Sequence, residues 1–189
     1  MSTTSAPFGL RPAYHPSGLD RATALANGIA SGYAYNLLKG QAVAMDTSGT
    51  IVRTDGTTTM LGAFDGVEWT DTTGRARVSN YWPASTAYTA GTCVAYFYND
   101  QNIVYEIQAD GSMAQTSIGN EFTFTNVTAG STTTGLSQCT LGASTAVGNG
   151  VQGQMRVVDL APYVDNAWGD AYTVVRVVVS GSQFFGAFT

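Results

Sequence analysis

From Tyr33 onward, apolar and polar residues alternate with a period of two over most of the chain, and Gly, Asp, Asn and Thr gather between the alternating runs. That period predicts strands with one face buried, and the punctuating residues predict turns. Tyr33–Leu38, Gln41–Met45, Thr50–Thr54 and Met60–Phe64 read as strands, with turns at Asp46-Thr47-Ser48-Gly49 and Asp55-Gly56. With Asp71-Thr72-Thr73-Gly74 as a hairpin loop, Thr70 faces Arg75, Trp69 faces Ala76, Glu68 faces Arg77 and Val67 faces Val78. Facing residues share one side of a sheet. This register therefore predicts Val67, Trp69, Ala76 and Val78 inside, and a Glu68–Arg77 pair outside. A second hairpin is predicted around Asn99-Asp100-Gln101-Asn102, setting Tyr98 against Ile103, Tyr96 against Tyr105 and Val94 against Ile107.

Further on, Glu121–Thr128 alternates with Phe122 and Phe124 on one side. Ala129–Gly150 is dominated by Gly, Ser and Thr and reads as a long surface excursion with one short strand at most. Gln154–Leu160 and Tyr172–Ser180 are the last strands. In Tyr172–Ser180, Val175, Val177 and Val179 share a face, and Arg176 lies opposite, where it needs a partner.

Two segments depart from the alternation. Pro7, Pro12 and Pro16 fix φ and withhold donors near the N-terminus, which predicts an extended arm whose Phe8, Leu10 and Tyr14 either cover the protein's own core or lie across a partner. Asp20–Ile29 is the one credible helix, capped by Asp20 and ended by Gly28. The expected fold is thus mainly β: an antiparallel barrel- or sandwich-like core with an extended N-terminal arm and one short helix. Residues 1–28 form the arm and helix, and 29–189 the β-rich domain, with any division into two lobes near 111–130.

Composition narrows the chemistry. The chain has one histidine, His15, one lysine, Lys39, and 11% charged residues, so the usual agents of proton transfer and covalent catalysis are scarce. No GxSxG, HExxH, Walker A or GxGxxG is present. A carboxylate-based hydrolase would need two of Glu68, Glu106, Glu121 or the aspartates facing one cleft, and most of those aspartates sit in turns. Asp165-Asn166-Ala167-Trp168-Gly169-Asp170 clusters oxygen ligands without the EF-hand spacing, and a hydrogen-bonded turn explains it more simply than a metal. Cys93 and Cys139 read as two buried apolar residues rather than a disulfide. No catalytic residue, cofactor or metal site is expected. The net charge of −5 disfavours nucleic acid. No apolar run is long enough to span a membrane, and the first residues lack a basic start before an apolar core, so a soluble, unexported chain is expected.

Several segments together resemble the capsid decoration, or structural cement, proteins of tailed bacteriophages. They are APFGLRPAYHPSG (6–18), GIASGYA (28–34), GAFDGVEWTDTTGRARVSNYWPA (62–84), VYEIQADGSMAQTSIGN (104–120), TGLSQ (134–138) and DNAWGDAYTVVRV (165–177). The resemblance spans nearly the whole chain and rests on the order of the segments. It implies a β-rich, non-enzymatic protein on the outside of an icosahedral shell, made in the host cytoplasm, with the major capsid protein and neighbouring copies of itself as partners, a dimer or trimer among the options. The residues expected to touch neighbours are Phe8, Leu10, Arg11 and Tyr14 in the arm and Phe184, Phe185 and Phe188 near the C-terminus. Removing 1–17 is expected to weaken shell binding while leaving the β core folded. The alternative is a glycan-binding head-fibre or tail module, with Trp69, Trp82 and Trp168 stacking on sugar rings.

Overall fold

The structure is a computed structural model that describes residues 2–18, 21–54, 56, 59–147 and 153–184. Its strands in chain order are β1 (Arg11–Tyr14), β2 (Thr23–Ala26), β3 (Ala42–Met45), β4 (Ile51–Arg53), β5 (Gly62–Thr70), β6 (Ala76–Ser79), β7 (Val94–Tyr98), β8 (Val104–Gln108), β9 (Glu121–Thr125), β10 (Gly130–Ser131), β11 (Leu136–Ser137), β12 (Thr140–Ala146), β13 (Met155–Leu160) and β14 (Val174–Val179). Two six-stranded antiparallel sheets result. The first runs β1-β8-β14-β13-β9-β12 and the second β2-β7-β5-β3-β4, with β6 also on β5. The nine-residue β5 carries β7 along one side, while β3 and β6 share the other, β3 at its start and β6 at its end.

Period-two alternation builds two cores from the second sheet. Ala42 and Ala63 point into a cluster with Tyr105, Ile107, Phe122, Phe124, Val157, Val175 and Val177 of the first sheet. Their neighbours Val43 and Phe64 point the other way, to Val67, Phe97 and Ala95. Residues outside the strands cover that second core: Ile29, Leu37 and Trp82, with Trp69 and Tyr88 edge-on to Trp82 at 5.3 and 6.0 Å. The sheets so packed give the mainly β, sandwich-like fold expected. Phe122 and Phe124 share the core face, and so do Val175, Val177 and Val179. Cys93 and Cys139 are unpaired and buried, one in each core.

Several expectations are corrected, among them a strand over Tyr33–Leu38, where the chain makes only an isolated bridge from Leu37 to Trp82. Thr23–Ala26 is an edge strand on β7, not part of a helix, and Asn27 turns the chain with φ 53°. A ten-residue helix whose apolar residues are mostly alanines is marginal alone, whereas a strand here fills the open edge of β7. Asp20, the proposed cap, lies outside the described residues.

The 71–74 hairpin is shifted by one residue: Val67 faces Ser79, Glu68 faces Val78, Trp69 faces Arg77 and Thr70 faces Ala76. The Asp71 N–H donates to the Arg75 carbonyl at 2.9 Å, and Gly74, at φ 85°, takes the left-handed turn position. Burial cannot enforce register on β6, because Val78 is 82% exposed; turn chemistry sets it. The Glu68–Arg77 pair is absent. Arg77 bonds Asp71 instead, and Glu68 accepts the Tyr96 hydroxyl at 2.8 Å.

β7 and β8 are not a hairpin but belong to different sheets, so Tyr96 faces Ala24 and Gly66, and Tyr105 faces Pro12 and Val177. The chain changes sheet between β1 and β2 and again at 99–103. Residues 1–28 are no separate arm: they supply β1 to one sheet and β2 to the other. Finally, the 129–150 excursion contains the β10–β11 hairpin and the seven-residue β12.

Candidate functional site

The outer edge of the first sheet carries the most developed polar constellation. Arg11 on β1, Glu106 on β8 and Arg176 on β14 stand directly opposite one another across three strands. The Arg11 guanidinium is 2.7 Å from Glu106, and Arg176 is 3.5 Å away on the other side. This is the partner that the apolar strand around Arg176 demanded. The Tyr163 hydroxyl bridges Glu106 and Arg11. Aromatic rings complete the shelf: Arg11 lies 4.5 Å from the Phe8 ring centre and 6.0 Å from that of Tyr163, and Arg176 lies 5.2 Å from that of Tyr14. Burial alone would raise the Glu106 carboxyl, but the Tyr163 hydroxyl and the Arg11 and Arg176 guanidiniums outweigh it and hold the group below the ordinary glutamate range.

The shelf has a buried base and an exposed top. The Glu106 side chain is 9% exposed, against 51% for Arg11. Tyr14 and Tyr163 are exposed, and Val164 is fully so. Local sequence explains the edge. Pro12 and Pro16 limit the donors that β1 can offer to a further strand, and the residues before β1 strap back over β8 and the 165–172 loop. Ser2 N–H donates to Asp170 at 2.8 Å, and Tyr172 N–H to the Ser2 carbonyl at 3.0 Å. Gln108 takes the Ala6 N–H at 2.8 Å and donates to the Thr4 carbonyl at 3.2 Å.

Of the residues expected to touch neighbours, Phe8, Arg11 and Tyr14 come together here. Leu10 does not join them: it is wholly buried in the first core, its N–H bonded to the Gly40 carbonyl at 2.7 Å. An alternating strand puts it on the face opposite Arg11, so it is a core residue. Phe184 is exposed, beyond a segment that pairs with Met60 and Met45. Phe185 and Phe188 lie outside the described residues. Sequence reasoning missed Tyr163 and Val164; an apolar pair between Pro162 and Asp165 was the available signal. His15 lies 3.2 Å from Asp100.

The other candidate chemistries are internally engaged. Glu121 takes Arg156, Ser180 and the Gly153 N–H, so each glutamate has its own partners rather than a shared cleft. In the 165–170 loop, Asn166 closes three hydrogen bonds with Ala161 and Val174, and Asp170 takes the N–H groups of Ser2 and Ala167. Among the described residues no group of three or more His, Cys, Asp or Glu is placed to hold a metal ion, and no helix is long and apolar enough to cross a membrane. Trp82 and Trp69 are buried, and Trp168 packs on the first core. No family model, curated protein or solved structure matches the chain.

Proposed function

We propose that the protein is a non-enzymatic structural component that decorates and cements a bacteriophage capsid from outside, binding the major capsid protein lattice. The observation that carries the reading is the shelf of Tyr14, Arg11, Tyr163 and Val164, held on a buried Glu106. Tyrosine and arginine dominate binding hot spots, because they cover much area and lose little freedom when already fixed. Here neighbours fix both arginines before any partner arrives. The ordered segments similar to decoration proteins support the same reading, and repetition on a lattice lets a modest contact hold through avidity. With a net charge of −5, a phosphate backbone is a poor partner. The tryptophans that a glycan module would use are taken up by the cores, so that alternative has no observation in its favour.

The test is co-sedimentation of the purified protein with capsids stripped of it, followed by a thermal challenge of the shells. Saturable binding that raises shell stability is expected. Tyr14→Ala and Val164→Asp should each weaken it about tenfold or more without unfolding the protein. A folded protein that does not bind the shells overturns the proposal.

A further inference from the structure

Arg53 is a half-buried cation with no acidic partner among the described residues. Arg11, Lys39, Arg77, Arg156 and Arg176 each face a carboxylate, and Arg21 and Arg75 are exposed to water. Arg53, on the outer strand β4, has no carboxylate partner among the described residues. Its guanidinium instead lies 3.7 Å from the centre of the Tyr35 ring. Tyr33 packs edge-on against Tyr35 at 5.7 Å, and its hydroxyl accepts the Arg53 backbone N–H at 3.1 Å. Stacking fixes the plane of the guanidinium and leaves its edge N–H groups open, the fork that matches two carboxylate oxygens.

That fork borders a cavity of about 170 Å³ whose walls include Tyr35, Asn36, Arg53, Thr128 and Thr132 and, among the described residues, no Asp or Glu. The Asn36 carbonyl oxygen accepts the Ala84 N–H at 2.8 Å, which leaves its amide N–H groups as the unused side. The hydroxyls of Thr128 and Thr132 make no side-chain hydrogen bond among the described residues. Asp46, on the same β3–β4 hairpin, directs its carboxylate into its own turn, to Ser48 and Thr50. A second cavity, of about 340 Å³, also has Arg53 in its wall and again no acid among the described residues that line it. Side-chain donors therefore gather around one cation with no carboxylate among the described residues.

We propose that this corner binds a carboxylate, with the Arg53 fork taking its two oxygens and Asn36, Thr128 and Thr132 supplying further donors. Size limits the ligand. The smaller cavity, about 170 Å³, holds about six waters at roughly 30 Å³ each, and it is well below the roughly 300 Å³ at which pockets for larger ligands begin. It therefore takes one acidic side chain or a small free acid, not an oligosaccharide or nucleotide.

The experiment is an amide NMR titration of the isolated full chain with glutarate, N-acetyl-glutamate amide and their neutral counterparts, glutaramide and N-acetyl-glutamine amide, up to about 50 mM, enough to saturate a site with a Kd of order 1–10 mM. Saturable shifts at Asn36, Arg53, Thr128, Gly130 and Thr132 are expected with the two acids and not with the amides. Tighter binding of N-acetyl-glutamate amide assigns the site to an acidic side chain of a partner, and tighter binding of glutarate to a free acid. Arg53→Gln should cut affinity at least tenfold. Arg53→Lys keeps the charge without the fork and should lose part of it, with an unchanged spectrum elsewhere reporting the fold. Absence of shifts with either acid, or shifts that persist in Arg53→Gln, overturns the proposal. No shell enters this measurement, so its result is separate from that of the co-sedimentation.

Discussion

Arg11 and Glu106 face each other across the β1–β8 pairing, guanidinium to carboxylate at 2.7 Å, with only the arginine reaching solvent. Arg176 holds the other side of the same carboxylate. Removing Glu106 leaves two cations pressed together on a sheet, and Arg176 is mostly covered. Glu106→Ala should cost about 2–4 kcal/mol, below the upper end for a buried pair because water screens Arg11. Arg11→Ala should cost about 1 kcal/mol or less. Urea unfolding of both variants checks the order, and a Glu106→Ala cost no larger than that of Arg11→Ala would contradict it.

The same carboxylate predicts an acid limb. Glu106 and Glu121 are both held below the ordinary glutamate value. For Glu121, burial is outweighed by the Ser180 hydroxyl, Arg156 and the Gly153 N–H. Each group therefore takes up its proton more readily in the unfolded chain. Below the ordinary value of 4.5 the unfolded state holds more protons, so stability falls as pH drops. The contribution is fully present above about pH 5 and fades as pH descends through the folded values. Urea midpoints at pH 7, 5, 4 and 3 should fall steeply only between the last three. The Glu106→Gln, Glu121→Gln double variant should be less stable at pH 7 and show a shallower acid limb. A wild-type midpoint unchanged between pH 5 and 3 would refute this.

The N-terminal residues behave as part of the sheet. Leu10 is buried, and Ser2, Thr4 and Ala6 hydrogen-bond to Tyr172, Asp170 and Gln108. Leu10→Ala should cost about 2–5 kcal/mol. Truncation of residues 1–17 should lower the melting temperature and promote aggregation, because it opens the β8 edge and uncovers Gln108 and Glu106. Light scattering on heating reads both. A truncated protein as stable and monodisperse as the full chain would restore the picture of a detachable arm.

Where burial enforced a face, the sequence was legible. The Phe122/Phe124 and Val175/Val177/Val179 faces hold because a shift would put valines and phenylalanines in water. The 71–74 register slipped because β6 buries little, so the alternation argument had nothing to act on. The 99–102 turn misled because sequence proximity of two apolar runs says nothing about which sheet each joins; β7 and β8 each already have two other neighbours. At the shelf, the proline-rich N-terminal sequence points to Phe8, Arg11 and Tyr14, and the apolar strand around Arg176 points to its need for a partner. Glu106 as that partner required the β1-β8-β14 order, which no local pattern encodes.

Gly62 and Tyr105 give a last pair of expectations of opposite sign. A Cβ on Gly62 would stand 1.8 Å from the Tyr98 carbonyl oxygen and 3.1 Å from the Tyr105 hydroxyl. Gly62 pairs with Val43 on β3 while its neighbour Ala63 pairs with Tyr98 on β7, so neither flank can retreat without breaking a ladder. Gly62→Ala should cost about 3 kcal/mol or more. The Tyr105 hydroxyl is buried with no hydrogen-bond partner among the described residues, and burial pushes its pKa well up. A polar group stranded in this way opposes folding, while the ring itself fills the first core. Tyr105→Phe keeps the ring and removes the stranded oxygen, and should be neutral or stabilising by about 1 kcal/mol. Thermal unfolding of the two variants decides it. A clear loss in Tyr105→Phe would mean that the hydroxyl is satisfied in solution, and a tolerated Gly62→Ala would mean that β5 does not pass as close to Tyr98 as described.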